Sequence, residues 1–114
     1  MNQDRLYLLK PDFADQGRTY YCPGCAELLG VLEFYPKLKR QIEIRWVDFP
    51  RPRPELAALL GKDYQSCPVL VLHAVPQQPP SSLKVQFANG HSFVSGAREI
   101  GEYLAHMRDI GLPH

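Results

Sequence analysis

The chain has 114 residues, of which 45% are hydrophobic and 22% charged, and its formal net charge is +1. This length suits one domain with a single core, residues 1–114, and the composition excludes an intrinsically disordered chain. The near-neutral charge gives no reason to expect nucleic acid as a partner, and no apolar run is long enough to span a bilayer, so no membrane association is expected. Because no charged and then apolar leader is visible at the N-terminus, a cytoplasmic location is expected.

The first third of the chain predicts a strand, a loop and a helix. Residues 6–10 are typical of a short buried strand, and residues 10–21 predict a loop long enough to form the lip of a binding site. Residues 23–35 carry apolar side chains at three- and four-residue spacing, which predicts a helix. Pro23 suits its first turn, where proline's missing N–H costs nothing.

The middle of the chain predicts a second strand and a proline-rich connector. Residues 41–49 alternate with period two, so that Ile42, Ile44 and Trp46 share one side, and Trp46 is expected in the core. Residues 49–54 hold three prolines, which favour a stiff, extended and basic connector.

The elements after the connector are a helix, a buried strand and a loop. Residues 55–60 predict a helix that ends at Gly61. Residues 69–72 are four consecutive aliphatic side chains, which is typical of a central strand that is buried on both faces. Residues 73–82 are rich in proline and glutamine and predict a surface loop.

The last third predicts a hairpin followed by a helix. Residues 83–87 and 91–94 flank Ala88-Asn89-Gly90, which is a hairpin signal. Ser95 is the expected N-cap of a helix over residues 97–107. The expected apolar stripe of that helix consists of Ile100, Tyr103, Leu104 and Met107.

These elements alternate in a way that predicts an α/β domain. The order is β-α-β-α-β-β-α, in which a right-handed βαβ unit gives two parallel strands and the closing hairpin runs antiparallel. We therefore expect a mixed sheet of four or five strands with helices on both faces.

The pair Cys22 and Cys25 lies in the run Cys22-Pro23-Gly24-Cys25, between the first loop and the first helix. This spacing alone serves redox pairs, zinc sites and iron–sulfur ligands. At a helix N-terminus, free N–H groups and the helix dipole stabilise a thiolate on Cys22. Cys25, one turn further along, can close a disulfide with it.

The third cysteine, Cys67, makes the total odd, which argues against a disulfide framework of a secreted protein. In a reducing compartment the Cys22–Cys25 pair is catalytic or binds metal. Cys67 could supply a third metal ligand, form an alternative disulfide or serve as a small buried hydrophobic side chain.

Other side chains suggest a binding surface. Arg51 and Arg53 could bind an anionic ligand or belong to a solvated connector. Tyr20 and Tyr21 could line a substrate groove, with one of them in the core. The histidines have no paired ligand spacing and are expected at the surface; they are His73, His91, His106 and His114.

Three motifs together resemble the thioredoxin superfold, closest to glutaredoxins and the N-terminal domain of glutathione transferases. They are Cys22-Pro23-Gly24-Cys25, Cys67-Pro68-Val69 and residues 93–100. This resemblance implies a thioredoxin-like domain in which a cis proline, Pro68, faces the cysteine pair. Over most of its length the chain also resembles a small bacterial family of thioredoxin-like proteins of unknown function, through its cysteine motif and the connector of residues 47–53.

The resemblance to glutaredoxins also implies roles for individual residues. Cys22 would be the attacking thiolate and Cys25 the resolving thiol, while the main chain of Val69 would pair with glutathione or a peptide in a strand-like manner. Ser95 and the N–H groups after it would hold the γ-glutamyl carboxylate. The glycyl carboxylate would be bound by one of Lys10, Arg51 and Arg53.

The main functional hypothesis is a thiol–disulfide oxidoreductase that uses Cys22 and Cys25. Its partner would be a disulfide-containing protein or a glutathione mixed disulfide, with no tightly bound cofactor, although glutathione could serve as co-substrate. The expected substrate-binding residues are Tyr21, Pro23, Arg51, Arg53, Cys67, Pro68, Val69 and Ser95. One alternative is a metal or iron–sulfur protein that uses Cys22, Cys25 and Cys67, and another is a non-enzymatic binding module. A monomer or a homodimer is expected.

Overall fold

The computed structural model describes residues 1–74 and 76–114 and shows an α/β fold built on a mixed five-stranded sheet. The strands are β1 (Asp4–Leu9), β2 (Phe13–Asp15), β3 (Arg18–Tyr20), β4 (Ile42–Val47), β5 (Val69–Val71), β6 (Val85–Ala88) and β7 (His91–Ser95). The helices are α1 (Pro23–Phe34), α2 (Pro36–Gln41), α3 (Pro54–Leu60) and α4 (Ala97–Arg108).

The main sheet has the strand order β4-β1-β5-β7-β6. β1 runs parallel to β4, with Leu8 opposite Trp46, and the remaining neighbours are antiparallel. β6 and β7 are joined at Asn89 and Gly90, whose φ angles of 51° and 82° suit a tight hairpin turn. The predicted hairpin and the parallel βαβ unit are both confirmed.

Helices cover both faces of this sheet. On one face of β1, the Asp4 carboxylate accepts a hydrogen bond from Arg108 at the end of α4 at 2.9 Å, and α1 packs against α4. On the other face, the Tyr7 hydroxyl donates to Glu55 of α3. Because neighbouring side chains of a strand point to opposite faces, these contacts place α1 and α4 opposite α3.

The core lies between the sheet and these helices. Its largest fully buried side chains are Leu6, Tyr7, Leu8, Leu28, Leu32, Leu38, Leu56, Leu60, Leu70, Phe93, Ile100 and Leu104. β5 is buried along its whole length, as predicted for a central strand. Among the residues described, no helix is long and apolar enough to cross a membrane.

One buried carboxylate ties the two ends of the chain together. Asp4 accepts hydrogen bonds from the main-chain N–H of His73 at 2.9 Å and from Arg108 at 2.9 Å, and its Oδ1 also lies 2.9 Å from His73 Nδ1. His73 is exposed, as predicted, and this pairing in addition gives it a structural role. The buried carboxylate is tolerated here because a main-chain N–H and a guanidinium both donate hydrogen bonds to it.

The segment before α1 differs from the expected loop. Residues 10–21 contain the short hairpin of β2 and β3, which turns at Gln16 and Gly17, both at positive φ. Phe13 of this hairpin stacks on Phe49, with ring centroids 4.3 Å apart, so the hairpin is held against the proline-rich connector. A short helix, α2, also follows α1 and was not predicted.

Several burial predictions were wrong. Trp46 was expected in the core but is 46% exposed, and neither Tyr20 nor Tyr21 is buried. Met107 is exposed although the rest of its stripe is buried.

The N-cap of α4 is Gly96 rather than Ser95, because the chain turns there at φ 98° and the Gly96 N–H donates to the Pro68 carbonyl at 3.1 Å. The predicted surface loop includes Val75, which lies outside the described residues.

Candidate functional site

Cys22 is the N-cap of α1, where its extended backbone (φ −82°, ψ 114°) leads the chain into the helix. Its sulfur accepts a hydrogen bond from the N–H of Cys25 at 3.3 Å, and its side chain is half-buried. Pro23 follows as the first helical residue. The helix N-terminus therefore points N–H groups at this sulfur, an arrangement that stabilises negative charge on it.

Cys25 lies one turn further along and is only 3% exposed. Its sulfur accepts a hydrogen bond from the N–H of Leu9, at the end of β1, at 3.3 Å. Burial is the largest influence on this thiol, and the neighbouring Cys22 adds to it, so the pKa of Cys25 is raised to about 12. The accessible sulfur is therefore Cys22, and the protonated partner behind it is Cys25.

Gly24, between the two cysteines, is the residue through which the cysteine turn packs against Pro68 and the start of α4. A Cβ atom on Gly24 would lie 3.2 Å from Cδ of Pro68 and 3.3 Å from Cβ of Ala97. A side chain at this position would crowd Pro68 and the start of α4, so glycine allows the close approach of the cysteine turn. The Cys67–Pro68 peptide bond is cis, as expected, and Pro68 faces the cysteine turn.

Cys67 is half-buried beside the pair, and all three cysteines are free thiols. Burial raises the pKa of Cys67 to about 11, with a small further increase from Cys22, while the charge of Arg53 acts in the opposite direction. At neutral pH Cys67 is therefore a thiol like Cys25.

Arg53 is buried, with only 5% of the residue exposed, and holds the connector to the segment before Cys67. Its guanidinium donates to the carbonyl of Phe49 at 2.7 and 3.0 Å and to the carbonyl of Gln65 at 2.7 Å. The main-chain N–H of Arg53 also donates to the Gln65 side chain at 2.6 Å. Since these contacts occupy the guanidinium, the expected role of Arg53 as a carboxylate ligand is replaced by a positioning role.

A small apolar cavity of about 70 Å³ opens at the cysteine pair. Its lining residues are Leu9, Pro11, Tyr21, Cys22, Cys25, Ala26, Leu29 and Trp46. Tyr21 is 63% exposed and Trp46 forms the opposite wall. Trp46 also lines a neighbouring groove of about 470 Å³ with Pro50, Pro52 and Pro54. Neither this groove nor the other cavity of about 470 Å³, between α1 and the C-terminal residues, is lined by a cysteine, whereas the small cavity is lined by both Cys22 and Cys25.

Other predicted binding residues lie elsewhere. Val69 is buried between β1 and β7, opposite Tyr7 and Ser95, so its main chain has no free side for a ligand. Ser95 lines a separate cavity of about 60 Å³ with Tyr64 and Phe93, on the α3 face of the sheet. The structure therefore does not support the expected ligand roles of Val69 and Ser95.

The two remaining cations differ in their surroundings. Arg51 is exposed and does not line the cysteine cavity. The ammonium group of Lys10 lies 2.9 Å from the Asp48 carboxylate. Of the four residues expected to bind the carboxylates of glutathione, only Arg51 keeps a charged group that is exposed and not engaged with another described residue.

The metal alternative receives no geometric support. Within residues 1–74 and 76–114, no group of three or more His, Cys, Asp or Glu side chains is arranged to hold a metal ion. The set of Cys22, Cys25 and Cys67 therefore does not form a ligand cluster in this structure.

Sequence reasoning missed the Arg53–Gln65 contact and the role of Trp46. No local pattern links Arg53 to a glutamine twelve residues away. For Trp46, the alternation of β4 indicated only which side of the sheet the indole faces, and no local signal showed that it is 46% exposed.

Comparison with known protein families shows one match over almost the whole chain. The model of the family described as "Protein of unknown function (DUF3088)" matches residues 3–113. The chain belongs to this family, whose description assigns no activity. No curated protein and no solved structure matches the chain.

Proposed function

We propose that the protein is a thiol–disulfide oxidoreductase of the thioredoxin type, in which Cys22 attacks and Cys25 resolves. The observation that carries this proposal is the contrast between the two sulfurs. Cys22 lies at a helix N-terminus and reaches the surface, whereas Cys25 is buried one turn behind it with a pKa of about 12. An accessible sulfur such as that of Cys22 suits the attacking nucleophile, and a buried, protonated thiol such as that of Cys25 suits the resolving role.

The first step is attack by the Cys22 thiolate on one sulfur of a substrate disulfide. The substrate S–S bond breaks, a Cys22–substrate disulfide forms, and the other substrate sulfur leaves as a thiolate. The N–H of Cys25, which is bonded to the Cys22 sulfur in the free protein, supports the negative charge before attack. Pro68, packed on Gly24, lies next to the cysteine turn on which this step takes place.

The second step uses Cys25. Its thiol loses a proton to the departed substrate thiolate or to water, and its sulfur attacks Cys22. The mixed disulfide breaks, the second substrate thiol is released, and Cys22 and Cys25 become joined by a disulfide. Two electrons have then passed from the protein to the substrate, and an external thiol reductant must return them before the next turnover.

Main-chain groups beside Pro68 also support substrate binding. The Pro68 carbonyl accepts from Gly96, and Val69 is held in the sheet, but the main chain of Cys67 makes no hydrogen bond to the described residues. The free N–H and C=O of Cys67 are therefore suited to hold a substrate main chain. In this role Cys67 takes the place that was predicted for Val69.

The proposal is tested by catalysis with dithiothreitol as the reductant and a cystine peptide as the substrate. The wild-type protein should accelerate reduction above the dithiothreitol background, and Cys22→Ser should remove the acceleration entirely. Phe87→Ala, which changes an exposed side chain on β6, is the matched control and should behave as wild type. Equal rates with wild type and Cys22→Ser would refute the proposal.

A further inference from the structure

Resting on the proposed function, we infer that the substrate is an extended polypeptide segment which pairs with the open edge of β4 beside Trp46, rather than free glutathione. β4 is the last strand at one end of the sheet order. A sheet edge offers a row of main-chain donors and acceptors that another extended chain can complement.

The register identifies which groups of β4 face outward. The Val47 carbonyl accepts from Lys10 at 3.0 Å, so Val47 faces β1, and Arg45 and Glu43 do the same by alternation. Ile44 and Trp46, between them, direct their N–H and C=O groups away from β1. Within the described residues, no strand pairs with this side of β4.

Trp46 connects this edge to the reactive sulfur. Its side chain is 46% exposed and lines the cavity that contains Cys22 and Cys25. Trp46 also lines the groove of about 470 Å³, together with prolines of the connector and the charged residues Asp48, Arg53 and Glu55. A peptide paired with Trp46 would therefore pass the cysteine cavity, whose apolar walls suit apolar side chains next to the cystine.

The charges around the site argue against glutathione as the preferred occupant. Glutathione carries two carboxylates, and their binding requires cations or free helix-terminal N–H groups near the cysteines. Arg53 donates to carbonyls, Lys10 pairs with Asp48, and Ser95 lies on the α3 face. Of the four residues predicted to bind carboxylates, this leaves Arg51 as one exposed cation for two carboxylates. The open edge of β4 instead offers main-chain hydrogen bonds, which any extended polypeptide can form.

The test compares single-turnover reduction of two substrates by the reduced protein, each rate divided by that of dithiothreitol with the same substrate. One substrate is glutathione disulfide, and the other is a cystine peptide with apolar residues beside the cystine. During the reaction Cys22 and Cys25 become a disulfide while the substrate gains two thiols. We expect the relative rate with the peptide to be at least about tenfold higher than that with glutathione disulfide. A factor of this size corresponds to the net contribution of about two hydrogen bonds between the peptide and β4.

N-methylated peptides test the edge itself. One series is methylated at alternate residues and the second at the residues between them, so that only one series loses the N–H groups facing β4. One series should react about tenfold more slowly than the unmodified peptide, and the other should keep its rate. Trp46→Ala should lower the peptide rate by a larger factor than the glutathione disulfide rate, and Phe87→Ala, on the opposite edge strand, should change neither.

The outcomes separate this inference from the proposed function. If both substrates are reduced but the two methylated series react equally, and Trp46→Ala slows both substrates alike, the edge is not used and the inference is wrong. If neither substrate is reduced, the proposed function itself fails, and this inference fails with it.

Discussion

The ring of Pro68 lies against Gly24, so closely that a methyl group on Gly24 would crowd it. A Cβ on Gly24 would come within 3.2 Å of Pro68 Cδ, whereas Gly30, later in the same helix, has no atom within 4 Å of the corresponding position. The two glycines therefore differ in environment although both belong to α1.

This difference predicts opposite effects of the same substitution. Gly24→Ala should destabilise the protein by about 1–2 kcal/mol, because the methyl group crowds Pro68 and Ala97. Gly30→Ala should stabilise it by about 0.5–1 kcal/mol, because alanine lowers the entropy of the unfolded chain and favours the helix. Urea denaturation of both variants measures these changes, and equal effects would contradict the described packing.

The Arg53 contacts predict a large difference between two neighbouring arginines. Arg53→Met should lower the free energy of unfolding by about 2–4 kcal/mol, because the carbonyls of Phe49 and Gln65 lose a charged donor. Arg51→Met, at an exposed position, should stay within about 0.5 kcal/mol of wild type. Chemical denaturation provides the comparison. Equal losses from the two variants would mean that Arg53 is not the contact that holds the connector.

The burial of the three thiols predicts the order in which they react. With iodoacetamide at pH 8, Cys22 should be modified first, because Cys25 is 3% exposed with a pKa of about 12 and Cys67 has a pKa of about 11. Peptide mapping by mass spectrometry after partial modification should show a single adduct at Cys22. Equal early labelling of Cys25 would contradict the assigned roles.

The raised pKa of Cys25 predicts a loss of stability in alkali. An unfolded thiol ionises near pH 8.5, but the folded Cys25 keeps its proton to about pH 12. Above pH 8.5 the unfolded state therefore binds fewer protons than the native state, and the free energy of unfolding should fall by up to about 1.4 kcal/mol per pH unit for this group. The contribution is fully present below pH 8.5.

Denaturation of the reduced protein at pH 8, 9 and 10 measures this slope. Cys67, whose pKa is raised to about 11, adds its own slope from the same pH upward, and Tyr7, whose pKa is raised to about 12, adds a contribution above about pH 10. Cys25→Ala should therefore flatten the slope between pH 9 and 10 without removing it. An unchanged slope in that variant would show that the Cys25 thiol is not held protonated by the fold.

Much of this fold could be predicted from the sequence because its elements carry strong local signals. The aliphatic run of residues 69–72, of which Val69–Val71 form β5, and the Asn89-Gly90 turn each specify one structure. The hairpin of β2 and β3 was missed because its strands have three residues each. Its Gln16-Gly17 turn was nevertheless a usable signal, since glycine there supplies the positive φ.

The site was less predictable because its contacts join distant parts of the chain. Cys22, Cys25 and Pro68 were found from their motifs, but strand alternation indicates only which side a residue faces, not how far the covering helix extends. Trp46 therefore seemed a core residue on pattern, yet it lies where that cover ends. The burial of Arg53 depends on Gln65, and no periodicity connects the two.

The central claim is that Cys22 and Cys25 together transfer two electrons to a disulfide, and a stoichiometric measurement tests it most directly. Fully reduced protein is mixed with one equivalent of a cystine peptide without any other reductant, quenched in acid and mapped by mass spectrometry. The account predicts a Cys22–Cys25 disulfide and two substrate thiols, with a Cys22–peptide mixed disulfide accumulating in Cys25→Ser. Unchanged peptide disulfide beside three free protein thiols would contradict it.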